Sequence, residues 1–308
     1  MTPRKSIALA LAVTALSAAP AAAQEGSPDD AEQARAPDQR PAGGPPPGFD
    51  IGESVFDETW ITLGIGMGLT PSYSGSDEYR VFPLPLIVGR VGGVGITPNG
   101  PGLNFDILSS PPGDGARAPS VSFGPTFRFR GSRDDDVKDD VVALAGQLDS
   151  ALEVGVQGGV RFPGVLNRFD AVTLGTAVRW DILGAHEGML IEPSVGYFTP
   201  LSRGAAVQMI ATASFSDDNF ADYYFTVSPQ QSSDTGLAEF TADGGLNSLG
   251  INMIATVDLD NNVLNGGINV FGVGGYSRLV GDAADTPYTS VRGSADQFIA
   301  GIGIGYTF

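Results

Sequence analysis

The chain ends Gln297-Phe298-Ile299-Ala300-Gly301-Ile302-Gly303-Ile304-Gly305-Tyr306-Thr307-Phe308. Phe298, Ala300, Ile302, Ile304, Tyr306 and Phe308 fall on one side of a two-residue repeat, and Gly301, Gly303, Gly305 and Thr307 on the other. A strand with one apolar face and one face of glycine and small polar groups fits a wall between lipid and a polar interior. The same split recurs upstream. Leu63, Ile65, Met67 and Leu69 oppose Gly64, Gly66 and Gly68, and Val172, Leu174, Val178 and Trp180 oppose Thr173, Gly175, Arg179 and Asp181. Val121, Phe123, Phe127 and Phe129 likewise oppose Ser122, Thr126, Arg128 and Arg130. A soluble sandwich would hide its apolar face behind a second sheet and carry more charge outside. The fold expected is therefore all-β, a transmembrane antiparallel up-and-down barrel.

Strands are expected near 59–70, 79–89, 91–97, 102–109, 119–130, 151–162, 169–182, 188–199, 205–216, 246–259, 265–279 and 296–308, about 12 in all. Ten is the alternative, with 91–109 as one irregular hairpin outside the wall, because its two strands are shorter than the roughly 9–11 residues needed to span. Gaps 71–78, 131–150, 217–245 and 280–295 are long and alternate with short ones. That parity fits long outer loops, short periplasmic turns and an even strand count.

Composition agrees. Of 308 residues only 17% are charged, against about 25% in ordinary soluble domains, and 43 are glycine. With no cysteine and one histidine, His186, neither a thiolate metal site nor a cysteine nucleophile is available, and no cofactor is expected. A net charge of -18 argues against nucleic acid as a partner. Residues 1–23 read as a signal peptide, with Arg4 and Lys5 before an apolar run and Ala21-Ala22-Ala23 as the cleavage site. Residues 24–58, with six prolines and eight acidic against two basic residues in 24–57, read as a disordered periplasmic tail. The barrel is expected over 59–308.

The glycine alternations are not nucleotide loops, since no helix pattern follows them. His186 lies in a short turn with no serine placed near it, so a hydrolase rests on that residue alone. More telling is the inward charge set Arg128, Arg130, Glu153, Arg161, Arg179, Asp181 and Glu192. Opposite charges on neighbouring strands support one another, and the pairs expected are Arg128 with Glu153 and Arg179 with Glu192, narrowing the lumen. Two outer loops are acidic, with Asp134, Asp135, Asp136, Asp139 and Asp140 in one and Asp217, Asp218, Asp222, Asp234, Glu239 and Asp243 in the other. Such runs are usually solvated, and a divalent-ion bridge to lipopolysaccharide is the sharper reading. Tyr306 and Phe308 form the aromatic end expected to be read by the barrel-insertion machinery.

Two stretches carry a family likeness. Pro71, Tyr73, Gly75, Ser76, Asp77, Tyr79, Arg80, Pro83 and Pro85 form a first-hairpin motif, and Arg278, Gly281, Asp282 and Pro287 lead into the closing strand. Both resemble the MipA/OmpV family of Gram-negative outer-membrane proteins, with Thr286 where that family commonly has serine. The signal peptide, the alternation and Phe308 lead to a monomeric barrel in contact with lipid and lipopolysaccharide, and the resemblance implies an outer-membrane location. It further implies a scaffold for periplasmic peptidoglycan enzymes, a murein lytic transglycosylase or a peptidoglycan synthase. A narrow porin-like channel is the alternative.

Overall fold

In a computed structural model, which describes residues 54–57, 59–108, 118–134 and 136–308, the chain forms a closed barrel of 12 antiparallel strands. The strands are β1 (Trp60–Pro71), β2 (Tyr79–Val91), β3 (Val94–Pro98), β4 (Gly102–Asp106), β5 (Ser120–Arg130) and β6 (Ala151–Pro163). There follow β7 (Ala171–Asp181), β8 (Met189–Pro200), β9 (Ala205–Ser216), β10 (Gly245–Asp258), β11 (Gly267–Leu279) and β12 (Asp296–Thr307). Each strand pairs with its sequence neighbours, and β1 closes the ring on β12. The ten-strand alternative fails because β3 and β4 lie in the wall, hydrogen-bonded to β2 on one side and β5 on the other. The expected signal peptide and most of the expected tail lie outside the described residues. The end of that tail, Val55–Asp57, forms one 3-10 turn, with the Val55 N–H donating to Leu264 O at 2.9 Å.

Alternation sets the two faces. On β1, Leu63, Ile65, Met67 and Leu69 are exposed outward, opposite Tyr306, Ile304, Ile302 and Ala300 of β12. Apolar side chains facing water would be a large exposed patch; facing hydrocarbon they are the expected belt. Inside the seam Thr62 and Thr307 share a 2.7 Å hydroxyl hydrogen bond. The inward glycines make room for neighbours that lie flat on the wall: a Cβ on Gly303 would stand 2.4 Å from Phe271 Cζ.

The two rims differ. Short turns join β2–β3, β6–β7, β8–β9 and β10–β11, while the other rim carries long connections that fold. These hold α1 (Asp140–Ala143), α2 (Asp218–Phe225), α3 (Pro229–Thr235), α4 (Asp282–Asp285) and α5 (Pro287–Ser290). The acidic loop residues build these helices. Asp139 caps α1, Asp217 caps α2, and Ser228 with Gln231 forms a capping box on α3. Asp218 accepts the Gly244 N–H and Asp282 the Asp243 N–H. Among the described residues no group of three or more His, Asp or Glu is placed to hold a metal. The loops bury Phe220, Ala221, Tyr224 and Phe225 against Leu190, Leu279 and Ala283, and Tyr73, Val142, Val227, Leu237 and Tyr288 in a second cluster. Burying a side chain of this size contributes about 1.5–3 kcal/mol, so the loops form a cap with its own core.

Candidate functional site

Directly beneath the cap, antiparallel register sets Arg128 of β5 opposite Glu153 of β6, and Glu153 opposite Asp181 of β7. Glu153 is 0% exposed and meets guanidinium groups from two strands, β5 and β7. Its Oε2 accepts from Arg128 Nε at 3.0 Å and Nη2 at 2.9 Å, and its Oε1 accepts from Arg130 Nε at 2.5 Å. Arg179, 1% exposed, approaches with Nε 3.5 Å from Oε2. Glu192 of β8 accepts from Arg128 at 3.1 and 3.2 Å, and also from Arg179. Three guanidinium groups and two carboxylates thus line the lumen along the four neighbouring strands β5–β8 below the cap. All four carboxylate oxygens accept from guanidinium groups, while the arginines keep donors to spare and Arg179 Nε has no hydrogen-bond partner.

His186, in the β7–β8 turn, closes the cluster from above. Its Nδ1 accepts the Gly188 N–H at 3.0 Å, and its Nε2 lies 3.6 Å from Glu153 Oε1. Its ring centroid stands 5.0 Å from that of Phe220. Nδ1 is thus held within the turn, while the buried Nε2 has no hydrogen-bond partner.

Two residues of the expected charge set lie elsewhere. Asp181 folds over its own turn, accepting the amides of Leu183 and His186 at 3.0 Å and Glu187 at 3.2 Å. Arg161 faces inward but sits near the short-turn rim, exposed, with no ion-pair partner among the described residues. Strand phase assigns a face, not a height along the barrel axis.

Most of the motif residues gather at the cap, while Pro83 and Pro85 lie in the wall on β2, opposite Met67 and Ile65 of β1. The Tyr73 hydroxyl donates to Tyr288 O at 3.1 Å, the Gly75 N–H to Gln297 Oε1 at 3.2 Å, and the Ser294 N–H to Gly75 O at 2.8 Å. Gly75 has φ +103°, and a Cβ there would lie 2.2 Å from Thr289 Oγ1. Ser76 Oγ donates to Glu78 O at 3.0 Å, while Asp77 and Tyr79 are exposed. Pro71 ends β1, Pro287 opens α5, and Gly281 takes φ +56° before α4. Thr286 keeps the hydroxyl a serine would supply and donates it to Phe225 O at 2.6 Å. Arg278 pairs with Asp296 at 2.6 Å, and Arg80 with Asp134 at 2.5 Å. Segments two hundred residues apart therefore lock together because β12 closes on β1. The sequence reading missed Arg292, which pairs with Asp139 at 2.8 Å, and Arg133, buried 4.5 Å above the Tyr288 ring.

Burial pushes the Tyr73 hydroxyl's pKa up, with Asp139 adding to it, and burial does the same at Tyr224. These phenols stay neutral donors. At Asp134, burial favours protonation, but the Arg80 hydrogen bond and the Asp136 amide outweigh it and hold the carboxyl below its usual range.

A closed, lipid-belted ring of strands with a folded cap on one rim and an ion-pair plug beneath it defines a transmembrane β-barrel protein. Residues 63–308 match the family described as MipA, MltA-interacting protein MipA, and the chain belongs to that family of outer-membrane barrels. Among solved structures, the COG4313 outer membrane channel from Pseudomonas putida F1 is similar at TM-score 0.41 and 13% identity, covering 82% of this chain and 96% of that one. No curated protein matches the chain.

Proposed function

We propose that this barrel is an outer-membrane anchor that docks a periplasmic peptidoglycan-cleaving enzyme, a murein lytic transglycosylase, on its short-turn rim. The observation that carries the reading is the plug: a packed cap over a lumen narrowed by the Arg128–Glu153–Arg179–Glu192 cluster suits a protein that presents surfaces more than one that passes solutes. The family's description as MltA-interacting supports the class of partner. Bacterial barrels generally keep their short turns on the periplasmic side, where such an enzyme would meet them.

That rim holds apolar side chains outward on rigid turns. Leu166, Leu201 and Leu259 are 77%, 67% and 64% exposed on three successive turns of that rim, β6–β7, β8–β9 and β10–β11. Asp170 fixes the first turn by accepting the Val165 amide at 2.8 Å and the Leu166 and Asn167 amides at 3.0 Å. The Leu201 N–H donates to Ala205 O at 2.8 Å, and the Leu259 N–H to Ile268 O at 3.0 Å. Pre-organised apolar tips lower the ordering cost of binding. The test is capture of a purified murein lytic transglycosylase by the folded barrel in detergent. Replacing Leu166, Leu201 and Leu259 together by Ser should abolish capture without changing heat-modifiable migration. Equal capture by the triple variant, or none by the wild type, refutes the reading.

A second reading, a narrow channel, is favoured by the confinement of the ion-pair cluster to β5–β8, while Phe271, Phe82 and Leu84 pack close over the inward glycines of β1 and β12. Planar-bilayer conductance separates the two.

A further inference from the structure

The barrel ladder has an interruption. β3 and β4 are five residues each, about 17 Å of strand, and β3 pairs with β2 only at Gly89, Arg90 and Val91. Among the described residues, no strand pairs with β2 from Tyr79 to Ile87 on the side away from β1. The Gly92-Gly93 turn, with φ +58° and +85°, is a two-residue hairpin of the primed type. In such a hairpin the flanking pair Val91–Val94 exchanges both backbone hydrogen bonds. Every odd-numbered residue of β2 therefore turns its backbone toward the open side. Pro83 and Pro85 stand at two of those positions and remove their donors, which blocks pairing with an added strand. A second copy or a partner strand is thus excluded at this edge, leaving a window in the wall. The Arg80–Asp134 ion pair, 2.5 Å, bounds its upper end.

The window adjoins a cavity. A space of about 300 Å³ lies under the cap, and Arg80, Arg130, Tyr224, Leu279, Gln297 and Ile299 are among its lining. Tyr224 is 5% exposed, and its hydroxyl has no hydrogen-bond partner. Arg130 commits its Nε to Glu153, within a cluster of three guanidiniums and two carboxylates that leaves one positive charge. An unmet buried donor beside uncompensated positive charge suits an acidic group. Below it the inner wall turns apolar along β2, where Leu84 and Phe82 lie against Gly301 and Gly68.

We propose that this cavity binds a single-chain amphiphile with a carboxylate head, entering sideways from the membrane through the window beside β2. The head takes the Tyr224 hydroxyl and the Arg130 guanidinium, and the chain lies along Leu84 and Phe82 toward the opening. This is independent of any docking on the short-turn rim.

The test uses the full barrel in phospholipid vesicles with both native tryptophans replaced by Phe. One tryptophan is then placed inside the lumen beside the window, as Leu84→Trp, with Ile299→Trp as a second probe should the first fail to fold. Thr212→Trp, inward on the far wall, is the control. Added 9,10-dibromostearate should quench the probe saturably, leave the control bright, and be displaced by palmitate but not by palmityl alcohol. Tyr224→Phe, which keeps the ring and removes the hydroxyl, should weaken stearate binding about 5- to 10-fold. Quenching by brominated phospholipid as strong as by the fatty acid would overturn the acid selectivity. Absence of saturable quenching at both probes, or equal quenching at Thr212→Trp, would overturn the site.

Discussion

Glu153→Gln removes one charge from the plug and almost no volume. In the native barrel, Glu153 holds Arg128 through two hydrogen bonds at 2.9 and 3.0 Å and Arg130 through one at 2.5 Å, with Arg179 Nε at 3.5 Å. After the substitution, Arg128 and Arg179 share Glu192, and Arg130 has no carboxylate within ion-pair distance among the described residues. Removing one partner from a buried ion pair costs about 3–5 kcal/mol, because the charge left behind is uncompensated. At about 2–4 °C per kcal/mol for a chain of this size, the transition should fall by roughly 6–20 °C. The assay is the temperature of the heat-modifiable band shift in detergent, with urea unfolding of the folded barrel beside it. Glu192→Gln is the internal comparison and should cost less, since Arg128 and Arg179 both keep Glu153. A double-mutant cycle of Glu153→Gln with Arg130→Met should show a coupling well above the few tenths of a kcal/mol of independent sites. A Glu153→Gln barrel within about 1 kcal/mol of wild type would mean the cluster is hydrated like a surface network, which refutes the plug as described.

Three further outcomes are expected. Deleting Phe308, whose ring packs 4.7 Å from Tyr306 and whose N–H donates to Ile61 O at 2.9 Å, should leave the chain unassembled and degraded in the periplasm; normal insertion would count against an aromatic assembly signal. The Asp134 carboxyl titrates below its unfolded value, so its contribution is full above about pH 4 and lost as pH falls through the folded value. The band-shift temperature of wild type should therefore drop more than that of Asp134→Asn between pH 5 and pH 3, and parallel curves would contradict this. Gly75→Ala should cost about 1–3 kcal/mol in the cap, from positive φ and the Thr289 clash, and appear as faster proteolysis of the long loops with the barrel band shift kept.

The wall was legible in the sequence because lipid-facing and lumen-facing positions demand opposite chemistry at every second residue. That contrast fixed the strands from Trp60 to Thr307 within about two residues of the observed ends for most of them. It also put Arg128, Glu153, Arg179 and Glu192 on one face. Alternation carries no information about height, which is why Asp181 and Arg161 shared the phase of the cluster without joining it. The place of β3 and β4 in the wall was undecided for a related reason: five residues are too few to span alone, and only pairing with β2 and β5 settles it. The cap was the larger omission. Ser228-Pro229-Gln230-Gln231 has the spacing of a capping box, yet it sits among acidic residues whose composition reads as solvated loop. The meeting of Tyr73, Gly75 and Gln297 depends on barrel closure, a contact between chain ends that no local pattern reports.

The plug is tested most directly by single-channel conductance in planar bilayers, comparing wild type with Arg128→Ala combined with Arg179→Ala. A lumen narrowed by the ion-pair cluster beneath a packed cap predicts a small or unresolved wild-type conductance. The double variant should then conduct more and favour cations, because Glu192 loses both of its arginines and Glu153 keeps only Arg130. A large, steady wild-type conductance that the double substitution leaves unchanged in size and selectivity would contradict the account.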